Sequence, residues 1–241
     1  MSTETNNLTY QSDGLGLGTL ETIDDAIKYN SWIVSKIKPW LGKKNLEFGA
    51  GTGTISDIVS RSTEVDLSEI SDDCRKVLSE RFKNNFNANV IDRDFLSVED
   101  RYDCIYSTNV LEHVEDDFSF LMKAYDLLEV GGYFVAIVPG HPFLMSNFDK
   151  NIGHFRRYNK KRINDFVGEV NKEKLRFELV KYRHYNPVGA VGWFFKMKLF
   201  KQNTIKYSDV MMMEKLIPFL SKLDFINFGF GQNVVFVFRK V

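Results

Sequence analysis

Leu46-Glu47-Phe48-Gly49-Ala50-Gly51-Thr52-Gly53-Thr54-Ile55 is the stretch that decides the fold. It reads as a short buried strand that breaks into glycines and then enters a helix. Glycines at alternate positions carry no Cβ, so a ligand can approach the backbone closely. The amides that open the following helix turn toward that ligand. Taken alone, the pattern is also that of a plain glycine-rich turn.

The flanking chain has the rhythm of an α/β sheet. Residues 45–48 form the first strand and 54–60 the helix after the glycines. Residues 64–67 make a second strand ending on an acid, Asp66, and 70–82 a helix with Cys74, Val77, Leu78 and Phe82 on one face. A third strand spans 89–92, and a fourth, 102–107, is apolar on both faces. Residues 118–128 form a helix that stops at Gly131-Gly132, and 133–138 a fifth strand closed by Pro139-Gly140. This alternation predicts a doubly wound, Rossmann-like parallel sheet.

Upstream, residues 1–20 read as a flexible arm. Thr22 is an N-cap for a helix carrying Ile23, Ile27, Trp32, Ile33 and Ile37, which Pro39 and Gly42 end. Downstream, 141–158 is rich in His, Asn, Phe and Arg and reads as a functional loop. A helix over 160–170, a strand over 175–182, an irregular aromatic and methionine-rich segment over 187–221, and a final strand over 233–238 follow.

Composition narrows the class. With 241 residues, 44 % apolar and 14 % aromatic, the chain can bury a sizeable core in one large domain over 21–241, with 21–41 and 141–221 as cap elements. Lys+Arg and Asp+Glu both total 32, so there is no basic excess to favour nucleic acid. Cys74 and Cys104 form neither a disulfide framework nor a metal-ligand spacing. The first twenty residues lack the charged start and apolar stretch of a secretory signal, and no run of 18 apolar residues is present, so a cytoplasmic protein is expected.

The dinucleotide fingerprint requires a further glycine three residues after the second. With the motif begun at Gly49 that position is Thr54, and with it begun at Gly51 it is Ser56, so the fingerprint fails. No Gly-Lys-Ser/Thr phosphate loop is present either. The acids downstream suit a nucleoside without phosphates: Asp66 at the second strand end could accept from ribose hydroxyls, and Asp94-Phe95 past the third could take the adenine amino group and cover its face. Taken singly, Asp66 is also a helix-entry residue and Asp94 an ordinary turn residue.

These segments resemble the class I S-adenosyl-L-methionine (SAM)-dependent methyltransferases. Leu46–Gly53 is similar to that family's first motif, Glu64-Val65-Asp66-Leu67-Ser68 to its second strand, and Asn109-Val110-Leu111-Glu112-His113-Val114 to the segment after its fourth. Leu128-x-x-Gly131-Gly132 is similar to the turn before its fifth strand. Tyr29-Asn30-x-Trp32, His141-Pro142, Gly153-His154-Phe155-Arg156-Arg157-Tyr158, Asn186-x-x-Gly189-x-x-Gly192-Trp193 and Gly231-Gln232-Asn233 resemble a bacterial subgroup associated with surface-glycan and lipid-linked sugar pathways.

The resemblance implies a seven-strand sheet of order 3-2-1-4-5-7-6, capped by the N-terminal helix and a C-terminal helical and loop segment. It implies that Gly49, Ala50, Gly51 and Gly53, with Glu47 and Phe48 nearby, hold the methionine end of SAM. Asp66 and Leu67 would serve the ribose, Asp94 and Phe95 the adenine, and Asn109, Val110 and Leu111 the sulfonium side. No metal is expected, because a sulfonium is already a good leaving group and catalysis mainly needs alignment.

A hydroxyl acceptor is helped by a general base, and His is the usual one near neutral pH. His154, with Tyr158 beside it, and His113 are the candidates; His154 reads equally as a hydrogen-bonding residue at a helix entry and His113 as a structural or cofactor-side residue. His141, Arg156 and Arg157 are candidates for binding a phosphate or carboxylate of the acceptor, the arginines being equally readable as surface groups. The expected reaction is O-methylation of a sugar, sugar nucleotide or lipid-linked glycan, by a monomer or homodimer. The apolar, basic stretch 191–200 and the methionines 211–213 suit either contact with a membrane surface or packing of a cap helix. Another small-molecule or lipid acceptor, a nicotinamide-dependent oxidoreductase and a non-catalytic SAM-binding protein are the alternatives.

Overall fold

Alternate residues of a strand face opposite sides of a sheet, and a strand covered by helices on both sides is apolar on both. Strand β1 (Lys44–Phe48) is buried on both faces, apolar Leu46 and Phe48 on one and polar Asn45 and Glu47 on the other, and it runs parallel to β2 (Glu64–Ser68) on one side and β4 (Tyr102–Thr108) on the other. Strand β3 (Ala88–Val90) extends the sheet beyond β2, and β5 (Leu128–Pro139) extends it beyond β4, both in parallel. Strand β7 (Asn233–Lys240) then pairs antiparallel with β5 and with the edge strand β6 (Phe177–Tyr185). The order is 3-2-1-4-5-7-6, as expected.

The computed structural model describes residues 24–91, 95–172, 176–225 and 229–241. The arm over 1–20, the Thr22 cap, Ile23, Asp92, Asp94 and the first residue of the 175–182 strand lie outside them.

Helices cover both faces of the sheet. Helices α1 (Ile27–Ile37), α2 (Thr54–Val59), α3 (Asp72–Phe82) and α8 (Tyr207–Leu220) lie on one face. There Trp32, Ile37, Val59, Leu78 and Leu220 belong to one core with Val65, Leu67, Tyr106 and Val235. Helices α4 (Asp117–Leu127) and α6 (Lys160–Lys172) cover the other face, with the short α5 (Asn147–Asn151) between them in the chain. Phe120, Leu121, Ile163 and Phe166 pack there with Leu46, Phe48, Phe134 and Phe236.

Three local expectations change. The glycines at 131–132 do not separate helix from strand: β5 starts at Leu128 and carries them inside it, next to a register shift against β4. A Cβ on Gly132 would sit 2.9 Å from the carbonyl oxygen of Asp103, so the glycine permits close strand approach. Val77 points outward, and Cys74, Leu78 and Phe82 alone make the buried face of α3. Residues 187–221 are largely helical: α7 (Pro187–Trp193) runs into a π-helical turn (Phe194–Leu199), and α8 follows.

The helicity of that last segment depends on long-range contacts. The Glu214 carboxylate of α8 accepts the backbone N–H groups of Lys28 (2.7 Å) and Tyr29 (3.0 Å), satisfying orphan donors in the first turn of α1. At the other end of the sheet, the Lys240 ammonium donates to the carbonyls of Tyr125 and Leu128, both at 2.7 Å, at the C-terminus of α4. Lys240→Met keeps the buried stem and removes both donors. We expect a loss of about 1–3 kcal/mol of stability in urea unfolding, and an unchanged midpoint would contradict this account of the α4 end.

Candidate functional site

The glycine loop follows β1 at the carboxyl edge of the sheet. Gly49, Gly51 and Gly53 have φ of +70°, +57° and +87°, a region that side chains rarely tolerate. The loop is also tightly enclosed. A Cβ on Gly49 would lie 2.6 Å from Val110 Cγ2, and one on Gly53 2.5 Å from the Phe82 ring. The N–H groups of Gly49 and Ala50 donate to the Ser68 carbonyl (2.9 and 3.1 Å), which ties the loop to the end of β2.

The acid at that strand end is Glu69. Its Oε2 accepts from the Gly51 N–H (2.8 Å) and its Oε1 from the Ser71 N–H (2.9 Å), leaving lone pairs on each oxygen. Asp66, expected in this role, lies mid-strand opposite Leu46, where its carboxylate accepts from Asn89 Nδ2 and the Tyr102 hydroxyl, both at 2.8 Å. Strand β2 runs on through Ser68, so the acid that emerges beside the loop is three residues further along. Leu67 is fully buried among the helices of one face.

Other expected cofactor residues divide between loop and core. Glu47 is buried and accepts from the hydroxyls of Ser56 and Tyr106 (3.0 Å to the latter). Burial drives its carboxyl up to about 8, against the opposing pull of those two hydrogen bonds. Phe95, expected to cover adenine, is 1 % exposed and stacks on Phe120 at 4.7 Å, beside Phe48. It is a core residue, and Asp94 lies outside the described residues. Asn109 is exposed with φ +53°, its N–H bonded to the Ile137 carbonyl (2.8 Å). Val110 presses on Gly49, and Leu111 is buried.

Loop 141–158 is stapled to the turn after β4. The Phe155 N–H donates to the Glu112 carbonyl (2.8 Å), and the Arg156 guanidinium donates to the carbonyls of Val114 (2.5 Å) and Glu115 (2.6 Å). Tyr158 pairs with Gly140, and its hydroxyl lies 3.0 Å from the Leu111 carbonyl and 2.9 Å from Asp117 Oδ2. These contacts correct three expectations. Tyr158 is completely buried, and burial, then the Asp117 charge, holds its phenol well above its usual range, so it is a staple and not a catalytic group. Arg156 is occupied by carbonyls and by Asp117 (3.0 Å). Arg157 is buried and engaged by Asp149, the Gly140 carbonyl and the Trp193 ring, so neither arginine is presented as an acceptor clamp. His141, with φ +58°, stacks on His184 at 4.3 Å and accepts from the Gly231 N–H (3.3 Å).

The staples enclose Glu112, His113 and His154. His154 Nδ1 lies 3.1 Å from Asp149 Oδ1, and its Nε2 lies 3.9 Å from Glu112 Oε1. Asp149 is fully buried. Burial alone would raise its carboxyl, but His154, Arg157 and Ser146 outweigh this and hold it at about 2. An ionised Asp149 can only accept, so Nδ1 of His154 carries the proton of that hydrogen bond. The His113 ring meets the His154 ring edge-on at 4.5 Å, and burial, then His154, pushes His113 down to about 3, so it is neutral. Burial pushes the Glu112 carboxyl up to about 7. Both expected histidines are thus together. Glu112 and Asp149 complete the group, Glu112 being visible in the sequence only as the residue before His113.

A Rossmann-like sheet with a glycine loop at the strand carboxyl ends defines a nucleoside-binding α/β protein. The profile described as "Methyltransferase domain" matches residues 21–191, and the chain belongs to that family. Similar solved structures agree on the fold. The CcbJ methyltransferase from Streptomyces caelestis is 15 % identical, with 90 % of each chain covered and a TM-score of 0.56. Phosphoethanolamine N-methyltransferase 2 from Haemonchus contortus, in complex with SAM, is 15 % identical over 86 % of this chain and 51 % of its own, with a TM-score of 0.58. Coclaurine N-methyltransferase, bound to N-methylheliamine and S-adenosylhomocysteine, is 12 % identical over 88 % and 72 %, at 0.58. No curated protein matches the chain. The family removes the oxidoreductase alternative.

Two outcomes follow from this geometry. Glu47 keeps its proton in the fold up to about pH 8, whereas the unfolded residue loses it near pH 4.5. The folded state therefore binds more protons across that window, and this residue's contribution to stability falls as pH rises through it, by roughly 3–5 kcal/mol. Glu47→Gln removes the slope, which denaturation at pH 5 and pH 8 measures; equal pH dependence in both proteins would contradict the buried acid. Glu69→Gln lowers cofactor affinity in calorimetry by about 1–3 kcal/mol, whereas Asp66→Asn leaves it nearly unchanged. The reverse ranking would return the ribose role to Asp66.

Proposed function

We propose that this methyltransferase, whose methyl donor is SAM, transfers the methyl group to a hydroxyl oxygen of a small, sugar-type acceptor at the Glu112, His113 and His154 face. The observation that supports this reading is the enclosure of those three side chains between loop 141–158 and the turn that follows β4. An amine acceptor needs only to arrive unprotonated. A hydroxyl benefits from a group that draws off its proton, and this cluster supplies a buried carboxylate and imidazole nitrogens for that purpose.

Gly49, Ala50, Gly51 and Gly53 would receive the methionine end of the donor, with Glu69 at the ribose hydroxyls and Asn109 to Leu111 along the sulfonium. The acceptor oxygen attacks the methyl carbon in line, and the carbon–sulfur electron pair returns to sulfur. S-adenosylhomocysteine leaves, and the hydroxyl proton passes to the cluster. Alignment supplies most of the rate, and proton removal adds about 10²–10⁴-fold.

A glycan intermediate, free or lipid-linked, is the acceptor class suggested by the resemblance of the 153–158 loop and the 186–193 segment to surface-glycan enzymes. The cap favours the lipid-linked form: Phe195, Leu199, Phe200 and Phe219 are exposed there. Among the described residues no helix is long and apolar enough to cross a membrane, so contact would be peripheral, from a single-domain cytoplasmic monomer or homodimer.

The test is methyl incorporation from labelled SAM into a panel of sugar nucleotides and lipid-linked sugars. We expect turnover of at least one, and His154→Asn to lower it by about 10²–10⁴-fold with donor affinity retained. Incorporation only into amines, or full activity in His154→Asn, would overturn the hydroxyl reading.

A further inference from the structure

Both carboxylate oxygens of Glu112 are buried without a hydrogen-bond partner among the described residues, in a side chain with no exposed surface. Held ionised, a buried carboxylate in that state is costly unless a cation lies against it. The nearby guanidinium groups do not serve. Arg157 is engaged by Asp149, the Gly140 carbonyl and Trp193, and Arg156 by two carbonyls and Asp117. What Glu112 does meet is imidazole: one ligand atom from each of Glu112, His113 and His154 lies within 4.8 Å of the others.

We propose that Glu112, His113 and His154 hold a divalent transition-metal cation. Three atoms so spaced have a common centre within about 2.8 Å of each, and zinc–nitrogen and zinc–carboxylate bonds are about 2.0–2.2 Å long. Side-chain movements of less than about 1 Å close the site. Two imidazoles and a carboxylate suit zinc, manganese or iron better than magnesium or calcium, and three protein ligands leave positions open.

The surrounding contacts are those of a built ligand shell. His154 Nδ1 is held by Asp149 Oδ1 at 3.1 Å, which turns Nε2 toward Glu112. A carboxylate that orients a metal-binding histidine through its other nitrogen is the usual second contact of such sites. Asp149 is itself fixed by Arg157 (2.8 and 3.0 Å) and by the N–H and hydroxyl of Ser146 (both 2.7 Å). On the methyl-transfer reading, which this inference extends, acceptor oxygens would take the open positions, and the Glu112 oxygen that does not ligate would draw off the hydroxyl proton. Two adjacent hydroxyls of a sugar would chelate there.

The purified full-length chain, stripped with a chelator, is titrated with Zn²⁺ in calorimetry and with Mn²⁺ by electron paramagnetic resonance. One equivalent is expected to bind, and Glu112→Gln and His113→Ala each to weaken it at least tenfold, with His184→Ala unaffected. Bound Mn²⁺ should also broaden the ring-proton resonances of His113 and His154 in the unaltered chain, a readout that survives if a variant does not fold. No stoichiometric binding, equal binding in the variants, or unbroadened His113 and His154 resonances would overturn the site. SAM affinity of the stripped protein is measured alongside, so that loss of the metal site with donor binding intact bears on this inference alone.

Discussion

A single buried carboxylate organises loop 141–158, the side of the molecule where we place the acceptor. Asp149 receives five hydrogen bonds: two from Ser146, two from the Arg157 guanidinium and one from His154. All come from within loop 141–158, so the loop is closed on itself before it touches anything else. A carboxylate with that many donors stays ionised although buried, and its charge fixes the orientation of both His154 and Arg157. Arg157 then reaches the Gly140 carbonyl at the end of β5 and stacks on Trp193 of the cap. The loop, the sheet edge and the cap are thereby joined through one side chain.

The glycine loop, where we place the donor, is set by a different constraint, the close packing of backbone at the ends of β1 and β2. Gly49 and Gly53 leave no room for a Cβ against Val110 and Phe82, and Glu69 secures Gly51 from the next strand. Both halves meet at the turn after β4. Val110 faces the glycine loop, while Glu112 and His113, two and three residues further on, face loop 141–158. In a doubly wound sheet the crevice outside the strand carboxyl ends, where connections diverge to opposite faces, is where ligands bind.

Much of this was legible in the sequence. The doubly wound sheet follows from the alternation of apolar runs with helical spacing, its strand order from the family resemblance alone, and the glycine loop from three glycines after a buried strand. The acid at the end of β2 lies three residues beyond Asp66, because Asp66 and Glu69 both flank Leu67-Ser68 and only strand pairing decides where the strand ends. Phe95 looked like an adenine cover because it follows an acid, yet its ring packs in the Phe48 and Phe120 core. Arg156, Arg157 and Tyr158 have the residue types of acceptor binding and catalysis, yet they staple the loop, since main-chain carbonyls as partners leave no trace in a sequence. Segment 187–221 looked irregular because its helices depend on long-range contacts, such as Glu214 with the first turn of α1.

The most direct test of the account is a crystal structure of the chain with S-adenosylhomocysteine. It should place the amino acid end of the ligand against the Gly49 to Gly53 backbone, the ribose hydroxyls on Glu69, and the sulfur turned toward Glu112, His113 and His154. A ligand whose ribose lies on Asp66, or whose sulfur faces away from that cluster, would contradict it.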